Sequence, residues 1–388
     1  MTAPLFERHR VIDIDTHVTE PPDVFTSRVS SKWKTQVPHV RNVEGRDLWF
    51  IGDEMIGMPG AYSMAGHDGT PPDFRLAYAD IPASMIEPKA RLAFMDEENI
   101  YANVLYPNIG GFGAQGFLKL KDPELMLECV RAYNDFLLEW ASADPARLVP
   151  VMSTPFWDIA ASVREIERCA ALGFRAILMC NQPQDFDMPF LRDKHWDPLW
   201  AAAESAGLSI SFHIGGGDLS DLLDDKAEIG FKANFARAST LVFIDNGRCL
   251  ADLILGGICH RFPKLKMVSV ESGVGWIPFM LEALDWQWKN SGVIHEHPEW
   301  DLLPSEYFRR QIYGSFWFEE KGVSHAIEHY PDNILYETDY PHPTCMAPGP
   351  ASAGTHPGLY AEKVLEGLSE TVISKVLHDT AADLYGLA

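Results

Sequence analysis

Through most of this chain, short apolar runs alternate with longer stretches in which apolar residues recur at helical spacing. Eight runs read as strands: VIDID (11–15), ANVLY (102–106), LVPVMS (148–153), RAILMC (175–180), LSISFH (208–213), LKMVSVE (265–271), IYGSF (312–316) and NILYETD (333–339). Between the second and third, Cys129, Tyr133, Phe136 and Leu137 recur every three or four positions. After the third, IAASVREIERCAAL ends at Gly173, where a helix-terminating glycine belongs. Alternating strand and helix predict a parallel α/β fold, and eight repeats predict a closed (β/α)8 TIM barrel. An open doubly wound sheet is the competing architecture. No G-x-G-x-x-G follows the first strand and no G-x-x-x-x-G-K occurs, so the usual loops for dinucleotide or nucleotide phosphates are missing. Residues 20–83 interrupt the rhythm: they are rich in Pro and Gly and include RDLWFIGDEMIG, two β-like runs about a Gly-Asp turn. They are expected to form a cap inserted after the first strand of a single domain, 1–388.

The strands end on polar side chains. The first ends in Asp15 and His17, the fifth in His213, the sixth in Glu271 and the eighth in Asp339. Strand alternation puts Asp13, Asp15 and His17 on one face, and in a barrel the C-terminal strand ends open on one side, where catalytic groups gather. Two imidazoles and two or three carboxylates, with no thiolate beside them, suit one or two divalent transition-metal ions of the Fe, Mn or Zn type. Each residue alone has a plainer reading: His213 as a core histidine, Asp339 as a turn former before Pro341, Glu271 as a cap for the helix near Trp276. Jointly they favour a cation, because burying that many carboxylates without one costs several kcal/mol per ion. Asp13, one strand repeat deeper, is expected to be structural. His342, three residues past Asp339, could shuttle a proton or brace the turn. The remaining histidines fall in predicted loops or helices and read as surface or structural residues.

Composition narrows the partners. With 46% apolar residues the chain can bury a large core, and 55 acidic against 32 basic residues give a net charge of −23 that repels nucleic acid and anionic membrane. A small-molecule substrate is expected instead. Six scattered cysteines without a CxxC pair fit free thiols in a reducing, cytoplasmic setting, and no run approaches the roughly 18 apolar residues that a membrane span needs. The exposed face of a cap this size would suit a homodimer.

Four stretches carry a family resemblance: DTHVTEP at the first strand, SFHIGG at the fifth, CHRFPKLKMVSVESGVGWIP through the sixth and ILYETDYPHP at the eighth. From VIDIDTH to ISKVLHDTAADLYGL the chain resembles the amidohydrolase-related family of metal-dependent (β/α)8 hydrolases and decarboxylases, the group that includes aminocarboxymuconate-semialdehyde decarboxylase. The resemblance implies a metal site of Asp15, His17, His213 and Asp339, with Glu271 at the sixth-strand position that is commonly histidine. It also exposes departures. The first-strand pair, usually His-x-His or Glu-x-His, is Asp15 and His17, and the fourth strand ends in Met179, Cys180 and Asn181 rather than the bridging lysine of binuclear relatives. An extra carboxylate at Glu271 could support a second ion in that lysine's place.

The resemblance points first to hydrolysis of an amide, ester or thioester carbonyl. A bound ion would acidify a water and polarise the carbonyl, Asp339 would take the proton, and His342 and Glu271 would assist. Decarboxylation of an aromatic or unsaturated acid is the alternative; it commonly uses a sixth-strand histidine and a cationic anchor, for which Arg75, Arg237 and Arg309 are the candidates. A barrel without catalysis is the third reading, disfavoured by the complete ligand set. Asn181, Tyr106, Trp317 and Arg237 are expected to bind substrate, with Asn108 and Phe318 nearby and Trp49, Phe50 and Met58 reaching in from the cap.

Overall fold

The computed structural model describes residues 3–220, 224, 228–347 and 352–387. The first barrel strand is β1 (Ile12–His17). It is followed by β2 (His39–Val43), β3 (Arg46–Ile51) and β4 (Glu54–Gly57), which pair antiparallel in a small separate sheet. The predicted Gly-Asp turn joins β3 to β4, with Gly52 at φ 57°; β2 had no counterpart in the sequence reading. Seven further strands complete the barrel: β5 (Ala102–Tyr106), β6 (Leu148–Ser153), β7 (Ala176–Leu178), β8 (Ser209–His213), β9 (Met267–Val270), β10 (Ile312–Phe316) and β11 (Ile334–Tyr336). All eight barrel strands lie parallel in the order β1-β5-β6-β7-β8-β9-β10-β11, so the eight expected strands form the expected (β/α)8 barrel. The ring closes where His17 N donates to Tyr340 O (2.7 Å) and Asp339 N donates to Asp15 O (3.0 Å).

Alternation along the strands sorts two cores. Ile12, Ile14, Val104, Val151, Leu178, Val270 and Leu335 fill the barrel interior, while neighbours such as Leu105, Met152, Ile177, Phe212 and Tyr336 pack outward under the helices. The helices begin and end on local signals. Asp122 accepts hydrogen bonds from Glu124 N and Leu125 N at the start of helix Pro123–Ala141, and Asp158 accepts one from Ala161 N at the start of Ile159–Leu172. Gly173 ends the latter with φ 101°.

The segment after β4 folds back over the mouth of the barrel. Met64 N and Ala65 N both donate to Pro341 O, and the buried Arg75 guanidinium donates to Ser63 O and Ala65 O, which ties this segment to the end of β11. Among the described residues no helix is long and apolar enough to cross a membrane, and all six cysteines are free and buried.

Candidate metal centre and active site

The first-strand residues do not share one face. Asp13 pairs with Asn103 and Thr16 with Leu105, so three steps along β1 match two along β5 and β1 carries one extra residue. Asp13 and Thr16 therefore face a cavity on the outer side of the strand, beside Met85, Phe94 and Met95. Asp13 accepts hydrogen bonds from Thr338 N (2.9 Å) and Thr338 Oγ1 (2.5 Å). Asp15, which plain alternation would place beside Asp13, turns inward with His17. The expectation of three co-facial side chains is thus corrected by a bulge.

The two imidazoles are aimed by backbone carbonyls. His17 Nδ1 donates to Pro107 O (3.0 Å) and His213 Nδ1 donates to Ile214 O (2.8 Å). A carbonyl only accepts, so each Nδ1 carries the proton and each Nε2 lone pair points into the space between the strand ends. There the Nε2 atoms lie 3.3 Å apart. His17 Nε2 is 3.4 Å from both Asp15 Oδ1 and Asp339 Oδ1, and His213 Nε2 is 3.5 Å from both Asp15 Oδ2 and Glu271 Oε2. Donors that share an ion at bond lengths of about 2.1 Å stand about 3.0–3.4 Å from one another. Both carboxylate oxygens of Asp15 and of Asp339 are buried with no hydrogen-bond donor near them other than ring nitrogens of His17, His213 and His342. Lone pairs converging on each other and on these carboxylates repel unless positive charge lies among them, supplied by protons on the imidazoles when no ion is bound, and a donor set at this spacing fits a divalent metal ion in their place. The fourth-strand end adds no ligand: Cys180 Sγ donates to Gly216 O.

The carboxylates respond to one another as this crowding requires. Burial opposes ionisation of Asp15, but the flanking His213 and His17 outweigh it and hold its pKa below the usual carboxylate range. Burial, with repulsion from Asp339 and Asp15, pushes Glu271 well above that range. Asp339 is raised to about 6 by burial and by the Asp15 charge. Glu271 and Asp339 occupy left-handed backbone, at φ 60° and 58°, a conformation uncommon for residues other than glycine and concentrated at functional sites. Glu271 does not cap the following helix. Glu319 braces the turn before that helix, accepting from Val274 N and Gly275 N, and the helix itself starts without a side-chain cap. Glu271 is held from below, its N–H donating to Glu337 Oε2 at 3.2 Å. Glu337, a fully buried carboxyl one strand repeat beneath Asp339, was missed by the sequence reading, although its spacing from Asp339 on the same strand face is a usable signal.

A second chain of contacts fixes His342. Glu20 Oε1 accepts from Asn108 N and Ile109 N, while Asn108 Nδ2 points to Val18 O and Glu20 Oε2. The amide oxygen of Asn108 is therefore presented to His342 Nε2 at 2.8 Å, and that nitrogen carries the proton. His342 Nδ1 is left 2.7 Å from Asp339 Oδ1, with the ring stacked on His17 at 3.8 Å between centroids. Burial pushes the His342 pKa down to about 3.

Above this floor opens a cavity of about 350 Å³. Glu271, Asp339 and His342 reach into it, and Tyr62, Phe74, Phe112, Phe235 and Phe243 wall it. Phe112 stacks on His213 at 4.5 Å and 21°. Among the described residues that line it there is no Lys or Arg. The four residues expected to bind substrate lie elsewhere. Tyr106 sits beneath the floor and donates to Ser211 Oγ; Asn181 donates to Asn246 Oδ1; Trp317 is buried behind the wall against Phe243 and Phe318; Arg237 is exposed on helix Phe231–Leu255. Trp49 packs on Phe25 and Phe50 lies under Arg41, so neither lines the cavity, nor does Met58. Arg75 and Arg309 donate to backbone carbonyls and are not among the lining residues. The wall comes instead from the 61–74 segment, the loop after β5 and one face of helix Phe231–Leu255. Phe235, Ala238, Ser239, Val242 and Phe243 on that face recur at helical spacing, a signal the sequence does contain.

A family model described as Amidohydrolase matches residues 12–387. The chain is 26% identical over 263 residues to the gamma-resorcylate decarboxylase of Polaromonas sp. strain JS666, covering 65% of this chain and 76% of that protein. Its fold is similar to that of an amidohydrolase from Mycobacterium avium subsp. paratuberculosis K-10, with a TM-score of 0.73, 25% identity and coverage of 97% of this chain and 99% of the other. It is also similar in fold to a 5-carboxyvanillate decarboxylase from Novosphingobium aromaticivorans DSM 12444, a mutant solved with manganese and 3-methoxy-4-hydroxy-5-nitrobenzoic acid (TM-score 0.67, 16% identity, coverage 98% and 97%). With the family match spanning every barrel strand and the donor cluster at their C-terminal ends, this chain belongs to the amidohydrolase family.

Proposed function

We propose that the protein is a metal-dependent non-oxidative decarboxylase of an aromatic carboxylic acid. The observation that carries this reading is a cluster of imidazole and carboxylate donors at the floor of a cavity walled by aromatic rings and lined by no Lys or Arg among the described residues. Two similar proteins named above are aromatic-acid decarboxylases, which favours this chemistry over the hydrolysis that the sequence reading put first. The lack of a cationic anchor among the described lining residues is no obstacle, because with one carboxylate to bind a held ion would suffice, and a second free anion on the substrate would meet no Lys or Arg among them.

Asp15, His17, His213 and Asp339, with Glu271 as a fifth donor, would hold the ion, whose charge would neutralise and orient the substrate carboxylate. Phe112 and the facing aromatic wall stack the ring and exclude water. Asp339 Oδ1 and His342 Nδ1 hold one proton between them, because His342 Nε2–H is committed to Asn108. That proton passes to the ring carbon bearing the carboxylate. The carbon–carbon bond then breaks, its electron pair returns to the ring, and carbon dioxide leaves. Residues 20–83 act as the cap, contributing Tyr62 and Phe74 to the wall.

The test is carbon dioxide release from a panel of ring-hydroxylated benzoates by manganese-loaded protein. Turnover should vanish with chelator and fall at least about a thousandfold in Asp339→Asn, with an unchanged circular dichroism spectrum. Chelator-sensitive hydrolysis of aryl esters or thioesters without carbon dioxide release from any acid would overturn the reading.

A further inference from the structure

Imidazoles and a carboxylate meet a second time, on a helix that contributes nothing to the cavity. In HAIEH, His325, Glu328 and His329 stand at i, i+3 and i+4 of helix Gly322–His329 and so share one face. All three are exposed, and one ligand atom from each lies within 4.8 Å of the other two. The imidazole centroids are 4.4 Å apart. His329 Nδ1 donates to His325 O at 3.1 Å, which leaves His329 Nε2 as the outward lone pair. Arg309, the neighbouring cation, donates to His329 O and stacks on Tyr330, so it is engaged away from the Glu328 carboxylate.

We propose that His325, Glu328 and His329 form a second, solvent-exposed site for a divalent late transition-metal ion, of the zinc, nickel or copper type. Two imidazoles one helical turn apart can chelate such an ion, and imidazole-weighted sites follow the order that places copper, nickel and zinc above manganese and iron. The ligand atoms already lie within 4.8 Å of one another, so exposed side chains need only small torsional changes to reach the roughly 3.3 Å that donors on one ion require. The barrel floor differs in two ways: carboxylates dominate it and it is buried. The two sites should therefore sort metals, and ions bound at the helix leave turnover unchanged.

The test uses zinc alone as the probe on full-length protein whose floor is already loaded with manganese. Equilibrium dialysis should find one more zinc per chain in wild type than in the double variant His325→Ala/His329→Ala, and each single variant should lose roughly tenfold or more in affinity for that zinc. Turnover with the floor loaded should be the same in all variants. Independently of any variant, zinc should protect His325 and His329 of wild type from acylation by diethyl pyrocarbonate, mapped by mass spectrometry. Equal zinc uptake by wild type and double variant, or unprotected imidazoles, would overturn the proposal.

Discussion

Asp13 and Asp15 lie two residues apart and meet opposite fates. Asp15 is held ionised by two imidazoles, whereas Asp13, buried on the other side of the strand against Thr338, is raised to about 8. A carboxyl whose folded pKa exceeds its unfolded one contributes stability that is complete below about 4 and is lost as pH rises through about 8. Wild type should therefore lose stability relative to Asp13→Asn between pH 5 and 9, by an amount on the order of a few kcal/mol. Urea midpoints of the two proteins across that range check this. A constant difference between them would mean that Asp13 is already ionised in the fold. The residue types at this strand end were readable from VIDIDTH, but their directions were not, because one bulge reassigns every side chain beyond it.

At the scale of elements, the turn after β9 depends on its neighbours. Its left-handed Glu271 is held by Glu337 beneath it, and its Val274–Gly275 amides are held by Glu319 from the loop after β10. Gly275 and Gly322 pass so closely that a Cβ on Gly322 would lie 2.6 Å from Gly275 Cα. Gly322→Ala must therefore displace the turn that carries Glu271. The expected cost is about 1–3 kcal/mol, seen as a melting point lower by a few degrees, with manganese affinity down about tenfold. Calorimetry and equilibrium dialysis measure the two effects. A lowered melting point with unchanged affinity would show that Glu271 is not a ligand. Both strands were legible in the sequence, where Glu271 stood as a candidate ligand with helix capping as its plainer reading; that Glu319 braces the turn before the helix was not legible, since nothing local distinguishes one acid near a helix start from another reaching it across two loops.

For the whole molecule, the fold gathers Asp15, Glu271, Glu337 and Asp339 at one end of a barrel whose chain already carries a net charge of −23. Without a cation these groups repel one another in a desolvated site, so metal removal should destabilise the entire domain. An ion at 100 times its dissociation constant stabilises by about 2.7 kcal/mol. Manganese-loaded protein should thus melt several degrees above chelated protein, with a larger gap at pH 8 than at pH 5 because the ligands must be deprotonated to bind. Identical melting curves with and without manganese, iron and zinc would contradict the metal centre.

What the sequence determined by itself was the set of elements and the polar residues at their ends. Eight strands, the intervening helices and the residues Asp15, His17, His213, Glu271 and Asp339 are encoded in periodicities of two and 3.6 that a strand or helix expresses without reference to distant segments. The tertiary structure decided which way those residues face and what stands over them. The bulge that turns Asp15 inward, the left-handed turns at Glu271 and Asp339, and the aromatic wall from Phe74, Phe112 and Phe235 arise from contacts between segments far apart in the chain. A cavity is a property of the surfaces that meet around it, so its lining was not readable from any one of them.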